Sequence, residues 1–462
     1  MGDKLNVIVV TRQPDTETSQ AGLFGTALAG KLRDLTGVNF ADISDFKPQT
    51  LALGSIPLAR RIFATTTDRS QAPSVRHAVA GAVEVEAAWI EEIATIPFYW
   101  ASTTLRDSCF ARPVRDTVEP PAKTPDFSSR QPYLLDAPTG LGVLSSHAVA
   151  GAMGEDIRII DVEGGWRFQH EDFPRHSLGI LFGDNAAEEL YVEHGTSMVS
   201  ILSSRKNDQG VTGIAPEAAI GGCACGDAAE THTSAAIRAA TGNLRPGDIL
   251  LLELQRTNSR NQLLPVEWWP ADFWAILEAT QRGIIVVSAA GNGGISLDDP
   301  SFDQPEQGIH PSWKNPLSRL VDSGSILVGA GTPEPGVHGV TACGPARARM
   351  PFSNFGQSVD AQGWGSQVTS AGFGSLQGGT DPNRFYMDES AGTSSAAPFV
   401  AGALACVQGA LKKAERPLLS PRRARDLLRS TGTPQQSGNF GGEDQRIGSL
   451  PNIMEMLAAC GL

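Results

Sequence analysis

Three residues of this chain, far apart in sequence, could together carry out nucleophilic catalysis. Asp161 ends an apolar run, His194 opens an apolar stretch, and Ser394 lies in a segment of small residues that precedes Pro398. A serine hydroxyl is a weak nucleophile at neutral pH. It needs an imidazole to accept its proton and a carboxylate to fix the imidazole tautomer. The combination predicts acyl transfer with Ser394 as the nucleophile.

Two further features indicate how negative charge on an intermediate could be stabilised. Ser394 is expected at the start of a helix, with Pro398 in the first turn, where a missing N–H costs nothing. Backbone N–H groups at such a helix start would point toward the reaction. Asn292 follows an apolar run and an Ala-Gly turn, so its amide can supply a preorganised donor.

The elements that must position these residues alternate along the chain. We predict strands at 157–161, 219–223, 249–252, 284–288 and 325–328, with helices at 195–204, 234–241 and 273–282. Continuously apolar strands separated by helices are typical of a parallel sheet covered on both faces. Such α/β folds place their active sites at the carboxyl ends of the strands.

The order Asp161, His194, Ser394 and the residues around them resemble the subtilisin-family serine proteases, the subtilases. The matching segments are 157–161, 194–196, 290–292, 351–356, 392–398 and 450–453. The resemblance runs from about residue 133 to the C-terminus and implies a subtilisin-like α/β fold and serine endopeptidase activity through an acyl-enzyme. It implies that Asp161 orients His194, that His194 is the general base, and that Asn292 with the Ser394 N–H forms the oxyanion hole. No cofactor is expected for the chemistry.

The chain departs from the family in two places. Relatives often have a Ser-Gly or Thr-Gly pair after the catalytic Asp, whereas here Val162, Glu163 and Gly164 follow. Many relatives also have a Ser-Leu-Gly-Gly strand that pairs with the substrate backbone. The positions of that strand make these residues the candidate substrate-binding set: Leu252, Glu253, Leu254 and Gln255.

The residues of this substrate strand leave its specificity open. Gln255 places side-chain bulk near the pocket wall, where a Gly is usual. Glu253 and Arg256 either determine specificity or are simply solvated.

Asp172 and Asn207 either belong to a calcium site or lie in ordinary polar turns. Asp172 and Asn207 lie in segments that resemble those supplying a calcium site in the family. Carboxylate, amide and carbonyl oxygens suit Ca²⁺. The expected metal ligands are therefore Asp172 and Asn207, for a structural ion.

The first part of the chain predicts a separate small α/β domain. Residues 5–11 are typical of a strand, and residues 21–35 and 78–93 are predicted to be helices. We expect a propeptide-like or accessory domain at 1–115, a Pro-rich linker at 116–132 and the protease domain at 133–462. The first domain is either an intramolecular inhibitor of the protease or a permanent accessory domain.

Composition excludes several other classes of protein. The chain has 462 residues, a net charge of −13 and 41 % hydrophobic residues. The acidic balance argues against nucleic acid or an anionic membrane as a partner, and a protein or peptide substrate is expected instead. Six cysteines without paired spacing argue against a disulfide scaffold or a structural zinc site.

No apolar run of membrane-spanning length and no secretory signal is recognisable, so we expect a cytoplasmic protein, with leaderless export as the alternative. A rival from another class is a catalytically silent subtilase fold used for binding or regulation. The full set of catalytic residue types disfavours that rival.

Overall fold

The computed structural model describes residues 4–11, 21–42, 61–80, 82, 85–91, 121–226, 232–304, 313–318, 321–339 and 344–462. The N-terminal elements are β1 Lys4–Thr11, α1 Ala21–Thr36, β2 Ala41–Asp42, β3 Arg61–Asp68, α2 Ala72–Ala80 and β4 Val85–Glu91. Their strands form a four-stranded antiparallel sheet in the order β2-β3-β1-β4.

Alternation along β1 divides its side chains between two cores. Leu5, Val7 and Val9 pack with Leu28 and other residues of the N-terminal helices. Ile8 points to the opposite face, as the two-residue period of a strand requires. There it belongs to a buried hydrophobic cluster that is otherwise formed by residues of the second domain, among them Leu264, Trp268 and Trp269.

The predicted helix over 78–93 is wrong. Helix α2 ends at Ala80, and Val85–Glu91 is a strand that pairs with β1. Alanines in this segment favour a helix locally, but the open edge of β1 needs a hydrogen-bonding partner, and this tertiary pairing overrides local propensity. The strand and helix predicted at 5–11 and 21–35 agree with β1 and α1.

The second domain is built on a seven-stranded parallel sheet in the order β13-β12-β11-β8-β5-β7-β6. The helices are α3 Val143–Ser146, α4 Glu189–Ser203, α5 Thr233–Asn243, α6 Pro270–Gln281, α7 Thr393–Lys413, α8 Pro421–Thr431 and α9 Ile453–Ala459. The strands are β5 Arg158–Glu163, β6 Gly179–Phe182, β7 Ala219–Ala224, β8 Ile249–Leu252, β9 Gln255–Thr257, β10 Leu263–Pro265, β11 Ile285–Ala289, β12 Ile326–Gly331, β13 Val359–Trp364, β14 Val368–Ala371 and β15 Tyr386–Ser390. The predicted α/β class is confirmed.

Helix α7 runs through the core of this domain. It is long and apolar enough to cross a membrane by length and composition, but the candidate segment is wholly buried inside the protein. Small residues permit this burial. For example, a Cβ on Gly363 of β13 would lie 2.3 Å from the Ala396 carbonyl oxygen, so the glycine allows helix and sheet to meet closely.

The described part of the predicted linker, 121–132, lies against the second domain. Phe127 packs with Val211, Ala371 and Tyr386, and its N–H donates to the Gly210 carbonyl at 2.7 Å. An exposed connection before the second domain would therefore have to precede Pro121.

Candidate active site

Ser394 and His194 meet at the carboxyl side of the parallel sheet. Ser394 is the second residue of α7, and His194 lies in α4. His194 Nε2 is 3.0 Å from Ser394 Oγ, and both side chains are fully buried. This is the geometry in which an imidazole can take the hydroxyl proton.

The carboxylate that holds the imidazole is Glu163. His194 Nδ1 lies 2.8 Å from Glu163 Oε2, while Glu163 Oε1 accepts a hydrogen bond from the Gly164 N–H at 2.8 Å. Asp161 Oδ2 instead accepts from the Trp166 indole N–H at 2.8 Å. The prediction that Asp161 orients His194 is therefore wrong, because Glu163 occupies this position.

The end of β5 explains the exchange. Strand β5 continues two residues beyond Asp161, to Glu163, so both carboxylates point to the same side of the sheet. Gly195 lets α4 approach the end of the strand, because a Cβ there would lie 2.8 Å from Glu163 Cγ and 2.2 Å from the Gly165 carbonyl oxygen. The approach brings His194 to Glu163.

Asp161 is a buried acid whose pKa is raised. Burial, followed by the neighbouring charge of Glu163, raises the pKa of Asp161 well above its usual range, although the Trp166 hydrogen bond works in the opposite direction. Its Oδ1 has no hydrogen-bond partner in the described part of the chain. Asp161 supports the Trp166 ring behind the site.

Helix α7 begins at Thr393, which places Pro398 beyond the first turn, contrary to the prediction. Pro398 lies four residues after Ser394 and has no N–H, so it cannot make the helical hydrogen bond to the Ser394 carbonyl. Gly392, at φ +125°, makes the turn from β15 into this helix.

Asn292 is held beside the nucleophile by the start of α7. Its Oδ1 accepts from the Thr393 N–H and from the Thr393 hydroxyl, both at 2.9 Å. These bonds identify the Asn292 oxygen and leave its –NH₂ as the donor side of the amide. Asn354 braces the turn before it, donating to the Ala290 carbonyl at 2.8 Å.

A chain of serine hydroxyls joins the helix that bears His194 to the helix that bears Ser394. Ser197 of α4 lies 2.7 Å from Ser370 and 3.3 Å from Ser390. Ser390 in turn lies 2.8 Å from Ser395 of α7. Since all four side chains are buried, the chain fixes the spacing of the two helices.

The predicted substrate strand is divided between two sheets. Leu252 ends β8 in the parallel sheet, whereas Gln255 begins β9, which pairs antiparallel with β10. Leu254, between them, is buried. Gln255 Oε1 accepts from the Asn292 backbone N–H at 2.9 Å, so this side chain links the strand to the turn that carries the candidate oxyanion donor.

Glu253 and Arg256 are both buried, so the alternative that they are solvated is wrong. Arg256 Nε lies 2.8 Å from Asp272 Oδ2, and its guanidinium carbon lies 5.8 Å from the centre of the Trp269 ring. These contacts connect β9 to the start of α6.

Glu253 belongs to a compact group with Glu163 and His194. Each residue offers one atom that could bind a metal, a carboxylate oxygen or an imidazole nitrogen, and these three atoms lie within 4.8 Å of one another. Such spacing would suit a divalent cation. Both imidazole nitrogens, however, already contact Glu163 and Ser394, and we therefore assign the group to proton chemistry.

The two expected calcium ligands differ in their surroundings. Asp172 is buried, with Oδ2 accepting the Val211 N–H at 2.7 Å and Oδ1 without a hydrogen-bond partner in the described ranges. Asn207 is exposed, and its side-chain oxygen accepts from the Gln209 N–H at 2.9 Å.

Burial raises the pKa of Asp172 well above its usual range, and the nearby positive charge of Arg205 only partly offsets this. The orphan oxygen of Asp172 fits a cation ligand, while Arg205 supplies part of the charge that such a cation would bring.

Glu163, the carboxylate that contacts His194, is the main residue of the candidate site that the sequence prediction missed. The signal was present in the departure after Asp161. If Glu163 is taken as the acid, the Gly164-Gly165 pair follows directly, as a glycine-containing pair follows the acid in the family.

Comparisons with known proteins identify the family of the chain. The Subtilase family model matches residues 182–449, more than half of the chain. The match begins after β5, so the acidic residue is assigned from the hydrogen bonds alone.

Two bacillary proteases are among the similar sequences. The chain is 24 % identical over 287 residues to the major intracellular serine protease of Bacillus subtilis, covering 59 % of this chain and 75 % of the relative. It is 24 % identical over 309 residues to subtilisin NAT of Bacillus subtilis subsp. natto, covering 65 % of this chain and 67 % of the relative.

Solved structures show the same fold. A protease from Pseudoalteromonas arctica matches 74 % of this chain and 99 % of its own, with a TM-score of 0.50 and 19 % identity. Fervidolysin from Fervidobacterium pennivorans, a keratinolytic enzyme related to subtilisin, matches 98 % of this chain and 61 % of its own, with a TM-score of 0.57 and 16 % identity. With the family model and the fold in agreement, the chain belongs to the subtilase family of serine endopeptidases.

Proposed function

We propose that the chain hydrolyses peptide bonds through a Glu163–His194–Ser394 triad. The observation that carries the proposal is the hydrogen-bonded series from Glu163 Oε2 through His194 to Ser394 Oγ, with separations of 2.8 Å and 3.0 Å. Glutamate replaces aspartate in this series without changing the chemistry, because either carboxylate can fix the tautomer and stabilise the imidazolium.

The reaction follows from these positions. Ser394 Oγ attacks the peptide carbonyl carbon while His194 Nε2 takes the hydroxyl proton. The Asn292 amide and the Ser394 backbone N–H stabilise the negative oxygen. His194 then gives its proton to the departing amine, which leaves an acyl-enzyme. Water, activated by the same imidazole, releases the acid product. Protein groups carry every step, and no cofactor takes part.

We assign peptide binding to residues 252–255. An extended substrate would lie along this segment and bring its scissile carbonyl to Ser394. The bond from Gln255 to Asn292 supports this placement, because the same side chain contacts the strand and the oxyanion turn. A side chain in that position narrows the pocket beside the scissile bond.

The N-terminal domain is proposed to restrain the protease. Ile8 belongs to the same buried cluster as Leu264 of β10, the strand paired with the substrate segment. Ser394 and His194 are fully buried when the N-terminal domain is present. A peptide can reach Ser394 only after a rearrangement. Movement of the N-terminal domain would also disturb the segment beside β9.

Ile8→Glu and a cut before Pro121 test this restraint separately. An introduced protease site in the predicted linker before Pro121 should, once cut and the pieces separated, increase peptide turnover. Ile8→Glu should do so without cutting, since a buried charge would disrupt the hydrophobic cluster that Ile8 shares with the second domain. Leu35→Glu is the matched control, because Leu35 is 47 % exposed in the same domain. Unchanged turnover after both perturbations would leave only the accessory-domain alternative.

Two further assignments complete the proposal. A structural Ca²⁺ held in part by Asp172 would act on stability and not on chemistry. We also propose an intracellular location, which the name of one relative, an intracellular protease, supports.

Labelling with a fluorophosphonate tests the catalytic proposal. The probe should attach to Ser394 in the activated protein, and Ser394→Ala should abolish both labelling and peptide hydrolysis. His194→Ala should slow both reactions by a similar factor, because the two residues act as a unit. If the activated wild type neither reacts nor cleaves peptides, the silent binding protein becomes the better description.

A further inference from the structure

Glu253 is an acidic residue beside the triad that the mechanism does not use. In the parallel pair of β5 and β8, Asp161 lies opposite Leu251 and Val162 opposite Leu252. The next positions along the two strands are Glu163 and Glu253. Two carboxyl groups therefore emerge side by side at the end of neighbouring strands.

No hydrogen bond compensates the burial of Glu253. Its side chain is fully buried, and neither carboxyl oxygen has a hydrogen-bond partner among the described residues. A buried ionised carboxylate without such partners is strongly unfavourable. Glu163 differs, because it accepts hydrogen bonds from Gly164 and His194.

The neighbouring carboxyl groups make the ionisation of Glu253 still less favourable. Asp161 and Glu163 face it from β5, and both raise its pKa in addition to the larger effect of burial. From α4 the facing group is His194.

The other ionisable groups nearby do not compensate this charge. The pKa values of Cys223 and Cys225 on β7 are also raised, chiefly by burial, so both thiols stay neutral. Arg256, on β9, directs its guanidinium to Asp272.

We propose that Glu253 is a positioning residue that keeps a proton beside the triad, so that Glu163 alone is ionised against His194. The hydrogen bonds decide which member of the pair is charged. Among the residues that the structure describes, Glu163 has two hydrogen-bond donors and Glu253 has none, so the proton resides on Glu253. This inference deepens the proposed triad and rests on it.

The proton on Glu253 matters for the working pH. With Glu163 alone ionised, one negative charge faces the imidazolium that forms during acylation. A second charge within 4.8 Å would favour the imidazolium before reaction and move the acid limb of the pH profile upward on the order of two pH units. Neutral Glu253 thus keeps the general base available near neutral pH, and its bulk holds Glu163 in place.

Infrared spectroscopy provides a test that does not require activity. The uncleaved wild type at pH 7 should show the carbonyl stretching band of a protonated carboxylic acid, and Glu253→Gln should remove one component of it. Asp161→Asn is the matched control and should remove a different component. If the Glu253→Gln spectrum retains every component, Glu253 is ionised and the proposal fails.

Kinetics of the activated enzyme then separate positioning from simple packing. The acid limb of kcat/KM for Glu253→Gln should lie within about 0.3 pH units of the wild type, since no charge is lost. A downward move on the order of two pH units would mean that Glu253 had been ionised. Glu253→Ala should lower kcat about tenfold below the Gln variant with little change in KM, because Glu163 and His194 lose a wall of their site.

Equal kcat values for the Ala and Gln variants would overturn the positioning role. If the Ala variant does not fold, the comparison of Gln with wild type still decides whether Glu253 carries a proton. Absence of wild-type hydrolysis and labelling would refute the proposed function, whereas the infrared comparison tests Glu253 independently.

Discussion

The exchange of Asp161 for Glu163 as the catalytic acid is tested by removing each charge without removing its shape. Glu163→Gln replaces the carboxylate that lies 2.8 Å from His194 Nδ1. The amide can present its –NH₂ group to Nδ1, which would favour the tautomer with the proton on Nε2. That tautomer cannot accept the Ser394 proton.

The size of the effect follows from the distance. At 2.8 Å and an effective dielectric constant near 20, a carboxylate stabilises an imidazolium by roughly 6 kcal/mol. Losing that stabilisation in the transition state corresponds to a factor on the order of 10⁴ in rate. Glu163 acts on the reaction through His194 and does not itself bind the substrate. The loss should therefore fall on kcat and leave KM nearly unchanged.

Asp161→Asn is the matched control, since its amide oxygen can still accept from Trp166. We expect it to lose less than about tenfold in kcat, because Asp161 contacts Trp166 instead of His194 and lies outside the proton path. Glu163→Asp should fall between the two, since the shorter side chain keeps the charge but withdraws it from Nδ1. Peptide kinetics and the rate of fluorophosphonate inactivation measure all three variants. A loss on the order of 10⁴ in Asp161→Asn, with Glu163→Gln nearly intact, would falsify the assignment.

Three further outcomes follow from the site. Asn292→Ala should lower kcat on the order of 10²–10³, the scale known for such a donor in subtilisin, and a loss confined to KM would contradict its role. If Asp172 binds Ca²⁺, a chelator should lower the melting temperature and Asp172→Asn should remove that response, whereas a melting curve indifferent to both chelator and calcium would exclude the ion. The raised pKa of Glu253 means that the folded state binds more protons than the unfolded state above about pH 4.5. Stability should therefore fall as pH rises from there toward the raised pKa, by up to about 1.4 kcal/mol per pH unit for this group. Denaturant titrations should show a shallower fall for Glu253→Gln, and parallel curves would show that Glu253 does not titrate in that range.

Much of the second domain was predictable because its signals are local. Strand β8 has the predicted bounds, Ile249–Leu252, since four consecutive apolar residues between polar ones leave little choice of position. Helix α5 begins one residue before and ends two residues after its predicted range, whereas α6 begins three residues earlier and ends one residue earlier than predicted. Their apolar spacing identifies the helix, whereas the hydrogen bonds of the last turn determine where it ends.

Elements that depend on a partner distant in sequence were harder to predict. The segment at 85–91 is a strand because it pairs with the edge of β1. The residues of the segment themselves do not indicate that this edge is available for pairing. The burial of Arg256 likewise depends on Asp272, sixteen residues away, which provides its ion pair. The sequence shows that such a residue is charged, but it does not show which distant residue will form the ion pair that makes its burial tolerable.

The sequence pattern alone also cannot decide whether Asp161 or Glu163 contacts His194. Residues two apart on a strand share a face, so the alternation of β5 places both carboxylates on the face of the site and does not distinguish them. What separates them is the depth at which α4 crosses the end of the strand, and this depth is determined by the close approach of Gly195 to Gly165. The same approach leaves Asp161 behind, where the Trp166 indole covers it. The family order of acid, base and nucleophile is thus compatible with either carboxylate, and the contact between two glycines selects the one that can hold the imidazole.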